Sequence, residues 1–104
     1  EFVTISVDTL QFKSPAQQGD LIEVVGNVVF TSTHTAGCKV RAYAMRKADW
    51  SRIEICSGYF FMVAIDNQMK PIPIPQFIPD SENEKAEWDI ALEIRRDMLS
   101  RKNN

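Results

Sequence analysis

Few side chains in this sequence are of types that do covalent chemistry. The candidates are Cys38 and Cys56, the single histidine His34, and two carboxylates near turn signals, Asp8 and Asp20. The cysteines form no C-x-x-C pair, and a zinc site needs about four well-spaced ligands, so no metal centre is expected. Each cysteine falls within an apolar strand pattern and reads as a small buried hydrophobe of a reducing compartment. Asp20 follows Gly19 and reads as a turn residue. Arg95, Arg96 and Arg101 cluster near the C-terminus. There they either complete a solvated helix end favoured by the dipole or meet an anionic ligand. A local cluster of this kind acts within a Debye length of about 8 Å, whatever the net charge.

The elements that must carry these groups follow from hydrophobic period. Val3, Ile5 and Val7 share one parity, whereas Leu10 and Phe12 have the other. A β-bulge near Asp8 and Thr9 would reconcile them, and a strand buried on both faces is the alternative. "KSPAQQGD" is a loop. "LIEVVGNVVF" is a second strand, with Ile22, Val24, Val28 and Phe30 on one face and Gly26 between them. "CKVRAYAMR" is a third, with Cys38, Val40, Ala42 and Ala44 on one face and Lys39, Arg41 and Tyr43 on the other. "RIEICSGYFFMVAI" is a long fourth strand with Gly58 at its middle, a place for a bend or a close approach by another part of the chain. Tyr59, Phe60 and Phe61 are expected in core and interface rather than in a ligand pocket. Short loops join all four strands, which predicts an antiparallel meander.

"PIPIPQFIP" blocks both helix and central strand and should run extended, tethered by Ile72, Ile74, Phe77 and Ile78. Ser81 and Glu84 then form a capping box that opens a helix. Trp88, Ala91, Leu92 and Leu99 make one stripe on it, and Ile90, Ile94 and Met98 a second beside it. The expected organisation is therefore 1–79 for the sheet with its proline-rich arm, and 80–104 for the C-terminal helix and tail. One apolar sheet face needs a cover. The arm favours docking the helix elsewhere, so the covering element is expected before Glu1.

The 104 residues suffice for one domain, with 44% hydrophobic and 25% charged residues and a formal net charge of −2. That balance argues against a dedicated nucleic-acid binder. No stretch approaches the roughly 18 apolar residues of a membrane span.

The order of motifs resembles the acyl-CoA thioester hydrolase family of hotdog-fold proteins. "VTISVD" is followed by Phe12, Pro15, Gly19 and Asp20, then a strand and a Ser/Thr-rich turn. Downstream, "GYFFMVAIDNQMKPIPIPQFIPDSENEK" has the same family character. The resemblance spans roughly residues 2–101. It implies an α+β hotdog fold, a curved antiparallel sheet around a central helix. The first strand and that helix are expected upstream of Glu1. It also implies a cytoplasmic enzyme that hydrolyses acyl-CoA to fatty acid and CoA, without metal or redox cofactor, and a homo-oligomer: a dimer or a trimer of dimers.

In similar enzymes an Asp on the central helix and an Asn or like group near the first strand do the chemistry, so no catalytic residue is assigned in this chain. For CoA, the resemblance places Ile5, Ser6 and Val7 beside the pantetheine arm. It places His34, Thr35 and Ala36 near the nucleotide, and Arg95 and Arg96 at the phosphates. Relatives read hydroxyl residue, Ser, Met at this turn, and Ala36, Gly37 and Cys38 depart from that. The plain alternatives are hairpin residues for Thr33, His34 and Thr35, and for Trp50 a turn aromatic rather than a platform for adenine. Two other functions are weighed. One is a non-catalytic hotdog module for assembly or CoA binding. The other is a small α+β interaction domain whose terminal helix covers its own sheet.

Overall fold

A computed structural model describes residues 2–7 and 10–102. The chain runs β1 (Phe2–Val7), β2 (Gln11–Phe12), β3 (Leu21–Thr31), β4 (Thr35–Met45), β5 (Arg52–Ala64) and α1 (Glu82–Lys102). The strands form one antiparallel sheet in the order β1-β5-β4-β3, with β2 also paired to β5. The expected meander holds only for β3, β4 and β5: the first strand, divided into β1 and β2, crosses over to pair along the far edge of β5 instead of joining β3.

A register shift lies between Thr4 and Ser6, where Ile5 is the extra residue, but it precedes Val7 and does not account for the parity change between Val7 and Phe12. The expected site, Asp8 and Thr9, lies outside the described residues. From Val7↔Phe60 to Gln11↔Ser57 the edge advances four residues against three on β5.

Cross-strand pairing sorts the side chains into two faces. The first carries Ile22, Val24 and Val28 from β3, Cys38, Val40 and Ala42 from β4, and Cys56, Gly58, Phe60 and Met62 from β5. It is open: Val24 is 65% and Phe12 77% exposed, and Ile22 and Val28 are also exposed. Leu10 lies across Gly58, whose added Cβ would meet Leu10 Cδ2 at 2.5 Å. That is the close approach expected of a glycine in mid-strand.

Phe30 does not belong to this face, contrary to strict alternation. A register shift between Val28 and Phe30 pairs Phe30 with Gly37 and turns its ring to the second face. There Phe30, Tyr59 and Phe61 form the core with Val29 and Ala91.

The helix returns to the sheet, onto this second face. Trp88, Leu92, Ile94 and Met98 pack on the core, drawing on both sequence stripes, while Ile90 and Leu99 stay exposed. One helical face centred on Ala91 takes residues from each stripe, because a period of 3.6 drifts across a heptad spacing. Trp88 packs between Phe30, with ring centroids 4.8 Å apart, and Phe77, at 6.3 Å. The apolar stripe of the sheet is therefore not what the terminal helix covers.

The capping box forms: Glu84 N–H donates to Ser81 Oγ at 3.1 Å. The reciprocal bond comes from Asp80 N–H to Glu84 Oε1 at 2.7 Å, one residue earlier than the motif expects. The arm follows the end of the sheet, with Ile72 N–H donating to Ala64 O at 3.0 Å. Among the described residues, no helix is long and apolar enough to cross a membrane.

Candidate functional site

The groups singled out for CoA fall around one end of the sheet. Thr35 and Ala36 pair with Val63 and Met62 of β5, whose partners on the other side are Val3 and Thr4. Ser6 and Val7 pair with the next two residues, Phe61 and Phe60. The β1 bulge and the start of β4 thus lie on either side of one strand, about 10 Å apart by strand spacing. The bulge leaves Ile5 without a register partner, which interrupts the regular ladder in the segment Ile5, Ser6, Val7.

The turn between β3 and β4 is Ser32–His34. Ser32 N–H donates to Thr35 O at 2.9 Å, and Ala64 N–H to His34 O at 3.1 Å. Thr35 and Ala36 are buried, so contact with a ligand there falls to backbone atoms and to the half-buried His34.

The two arginines part company. The Arg95 guanidinium lies 5.8 Å from the Phe30 ring centroid, close to this end of the sheet. Arg96 points to solvent and pairs with Glu93 at 3.4 Å. Trp50 stands at the tip of the β4–β5 hairpin with φ of 58°, exposed, so the hairpin does not bury it. Asp20 is structural: its carboxylate accepts from Gln17 N–H at 2.8 Å and pairs with Arg46 Nε at 3.0 Å.

The open face carries a groove of about 370 Å³ lined by Gly26, Val28, Cys38, Val40, Phe60 and Met62, among others. Small residues at its centre leave room for something bulky to lie across it. Burial pushes the Cys38 thiol above its usual value. A thiol so placed is a poorer nucleophile than a free one, which agrees with its reading as a small hydrophobe.

A charged lattice on the second face escaped the sequence reading. Arg41 Nη2 pairs with Glu87 of α1 at 3.0 Å, and Arg41 Nε with Glu54 at 3.5 Å. Lys13 reaches the same Glu54. Tyr59 Oη donates to Glu87 Oε2 at 3.1 Å and accepts from Lys39 Nζ at 3.2 Å. Burial pushes the Lys39 ammonium below its usual value, against the opposing pull of Glu87. The available signal was the shared parity of Lys39 and Arg41 on β4, which needs an acidic partner once a helix lies over it. Among the described residues, no group of three or more His, Cys, Asp or Glu is placed to hold a metal ion.

Comparison with known proteins fits this geometry. A family model described as Thioesterase superfamily matches residues 1–47. The rat cytosolic acyl coenzyme A thioester hydrolase is 33% identical over 89 residues, covering 84% of this chain and 23% of that protein. A crystal structure of an apo-hexameric acyl-CoA thioesterase is 32% identical, with a TM-score of 0.87 over 97% of this chain and 65% of its own. An acyl-CoA hydrolase from Staphylococcus aureus, solved with butyryl coenzyme A and coenzyme A, is 25% identical, with a TM-score of 0.83 over 99% of this chain and 63% of its own. The sheet is that of a hotdog fold, and the chain belongs to the hotdog-fold acyl-CoA thioesterase family. It spans about a quarter of the rat relative's length.

Proposed function

We propose that this chain supplies the sheet and outer helix of an acyl-CoA hydrolase, which converts acyl-CoA and water to a free fatty acid and CoA. The observation that carries the reading is the open apolar face with its groove of about 370 Å³, in a chain of the acyl-CoA thioesterase family. An acyl or pantetheine chain is the kind of slender, largely apolar ligand that such a trough accepts.

In this reading Ile5, Ser6 and Val7 run beside pantetheine. The backbone of His34, Thr35 and Ala36 faces the nucleotide, and Arg95 meets phosphate, joined by the solvent-exposed Arg96 once its pair with Glu93 opens. No residue of the chain is assigned as base or nucleophile; those groups belong to the central helix and first strand of the domain. The reaction uses no metal or redox cofactor and takes place in the cytoplasm. The protein works as a homo-oligomer, a dimer or trimer of dimers. Among the described residues β3 pairs with β4 alone, and this supports the reading, since an exposed edge of such apolar composition invites another strand.

The test is release of free CoA thiol from acetyl-, hexanoyl- and palmitoyl-CoA. It compares residues 1–104 with the longest natural chain that contains them, using a no-substrate blank for Cys38 and Cys56. Turnover by the longer chain alone supports the reading. No turnover by either, at saturating ester of every length, turns it to a non-catalytic module for assembly or CoA binding. Sedimentation of the longer chain as monomer at micromolar concentration would remove the oligomer.

A further inference from the structure

The turn at Ser32–His34 is held from outside by the proline arm, and one side chain makes most of the connection. Gln76 Nε2 donates to Ser32 O at 2.8 Å and to Ile74 O at 3.1 Å. Its Oε1 accepts from Thr31 Oγ1 at 3.1 Å, and that hydroxyl oxygen accepts in turn from Phe77 N–H at 3.1 Å. Ile74 N–H donates to Thr33 O at 3.1 Å. Both amide hydrogens and the amide oxygen of Gln76 are thus in use. The reverse orientation of the amide would set its oxygen against two carbonyl oxygens, so the network admits one orientation only.

The arm is well suited to fix something. Pro73 and Pro75 flank Ile74 and limit its backbone freedom. Phe77, next to Gln76, stacks on Trp88 of α1 with 21° between the planes. Gln76 is also the only polar residue in "PIPIPQFIP". Rigid support therefore runs from α1 through Trp88, Phe77 and Gln76 to the backbone of the turn that precedes Thr35 and Ala36.

We propose that Gln76 is a positioning residue for the nucleotide end of acyl-CoA, acting through the backbone of Ser32–Ala36 and touching no ligand itself. This rests on the reading that the turn lies beside the nucleotide. Holding the turn's polar groups in their binding geometry before the ligand arrives lowers the ordering cost of binding. The effect belongs to affinity for the nucleotide, not to the chemical step.

The test uses the longest natural chain that contains these residues. Hydrolysis of one acyl group is measured on CoA and on pantetheine, which lacks the nucleotide. For Gln76→Leu, KM for acyl-CoA should rise about fivefold, as expected for losing side-chain hydrogen bonds. The kcat and the KM for acyl-pantetheine should stay unchanged. Equal changes with both substrates, or none, overturn the proposal. Should Gln76→Leu not fold, the uncharged and more flexible Gln76→Met removes the same hydrogen bonds and is judged by the same criterion. Failure of both to fold gives Gln76 a purely structural role and also overturns it.

His34→Asp separates this inference from the reading beneath it, because a carboxylate at the turn repels a phosphate directly. A selective rise in acyl-CoA KM for His34→Asp with a silent Gln76→Leu overturns the role of Gln76 alone. A silent His34→Asp removes the turn from the nucleotide and overturns both.

Discussion

Gly37 and Gly58 sit on opposite faces of the sheet, and a methyl group meets different obstacles at each. At Gly37 an added Cβ would lie 2.9 Å from Cε1 of Phe61 and 3.3 Å from Cβ of Phe30, both core residues. At Gly58 the obstacle is the far end of Leu10, an exposed side chain that can swing aside. Gly37→Ala should cost about 1–3 kcal/mol through overpacking. Gly58→Ala should stay within about 1 kcal/mol of neutral, since the smaller unfolded-state entropy offsets a cheap displacement. Urea unfolding of the two variants checks the contrast, and equal losses would mean that the two faces are equally tight.

At the same scale, Lys13 holds the Glu54 carboxyl below its ordinary value, with Arg41 and Lys39 adding to the effect. A carboxyl depressed in the folded state stabilises above its unfolded value, about 4.5, and loses that contribution as pH falls through the folded one. Wild-type protein should therefore lose more stability than Glu54→Gln on acidification from pH about 6 to about 3.5, as read from urea midpoints at each pH.

Among the elements, α1 depends on an aromatic sandwich. Trp88→Ala removes the layer between Phe30 and Phe77 and should cost about 3 kcal/mol by urea denaturation followed by circular dichroism. A loss below about 1 kcal/mol would shift the weight to the Arg41–Glu87–Tyr59 lattice. The elements themselves were legible in the sequence because alternation, proline spacing and a capping box are local signals. Phe30 was misplaced for a physical reason: a bulge adds one residue, and side-chain parity cannot announce it when Val28, Val29 and Phe30 are all apolar. Ile90 and Leu99 belong to the two stripes yet stay exposed, because the stripes are equally apolar and only the position of the sheet decides which of their residues are covered. The site was less legible. The β1 bulge and the β3–β4 turn share an end of the sheet through pairing across β5, a relation between residues some thirty positions apart that no local pattern encodes. The tie from Gln76 to the turn is non-local in the same way.

For the whole molecule, the open apolar face has a calorimetric consequence. Unfolding raises heat capacity because apolar groups move from the interior into water, by about 12–15 cal/mol/K per residue in ordinary domains. In residues 1–104 taken alone, Phe12, Ile22, Val24 and Val28 already meet water in the native state. The part of their surface that is already exposed is hydrated before and after the transition, so that part drops out of the difference. Scanning calorimetry of this segment by itself should give a heat-capacity step clearly below the norm for 104 residues, and a correspondingly flat curve of stability against temperature. Any native neighbour that covers the face would restore the missing step, and the size of the restored step would measure how much of the face it covers.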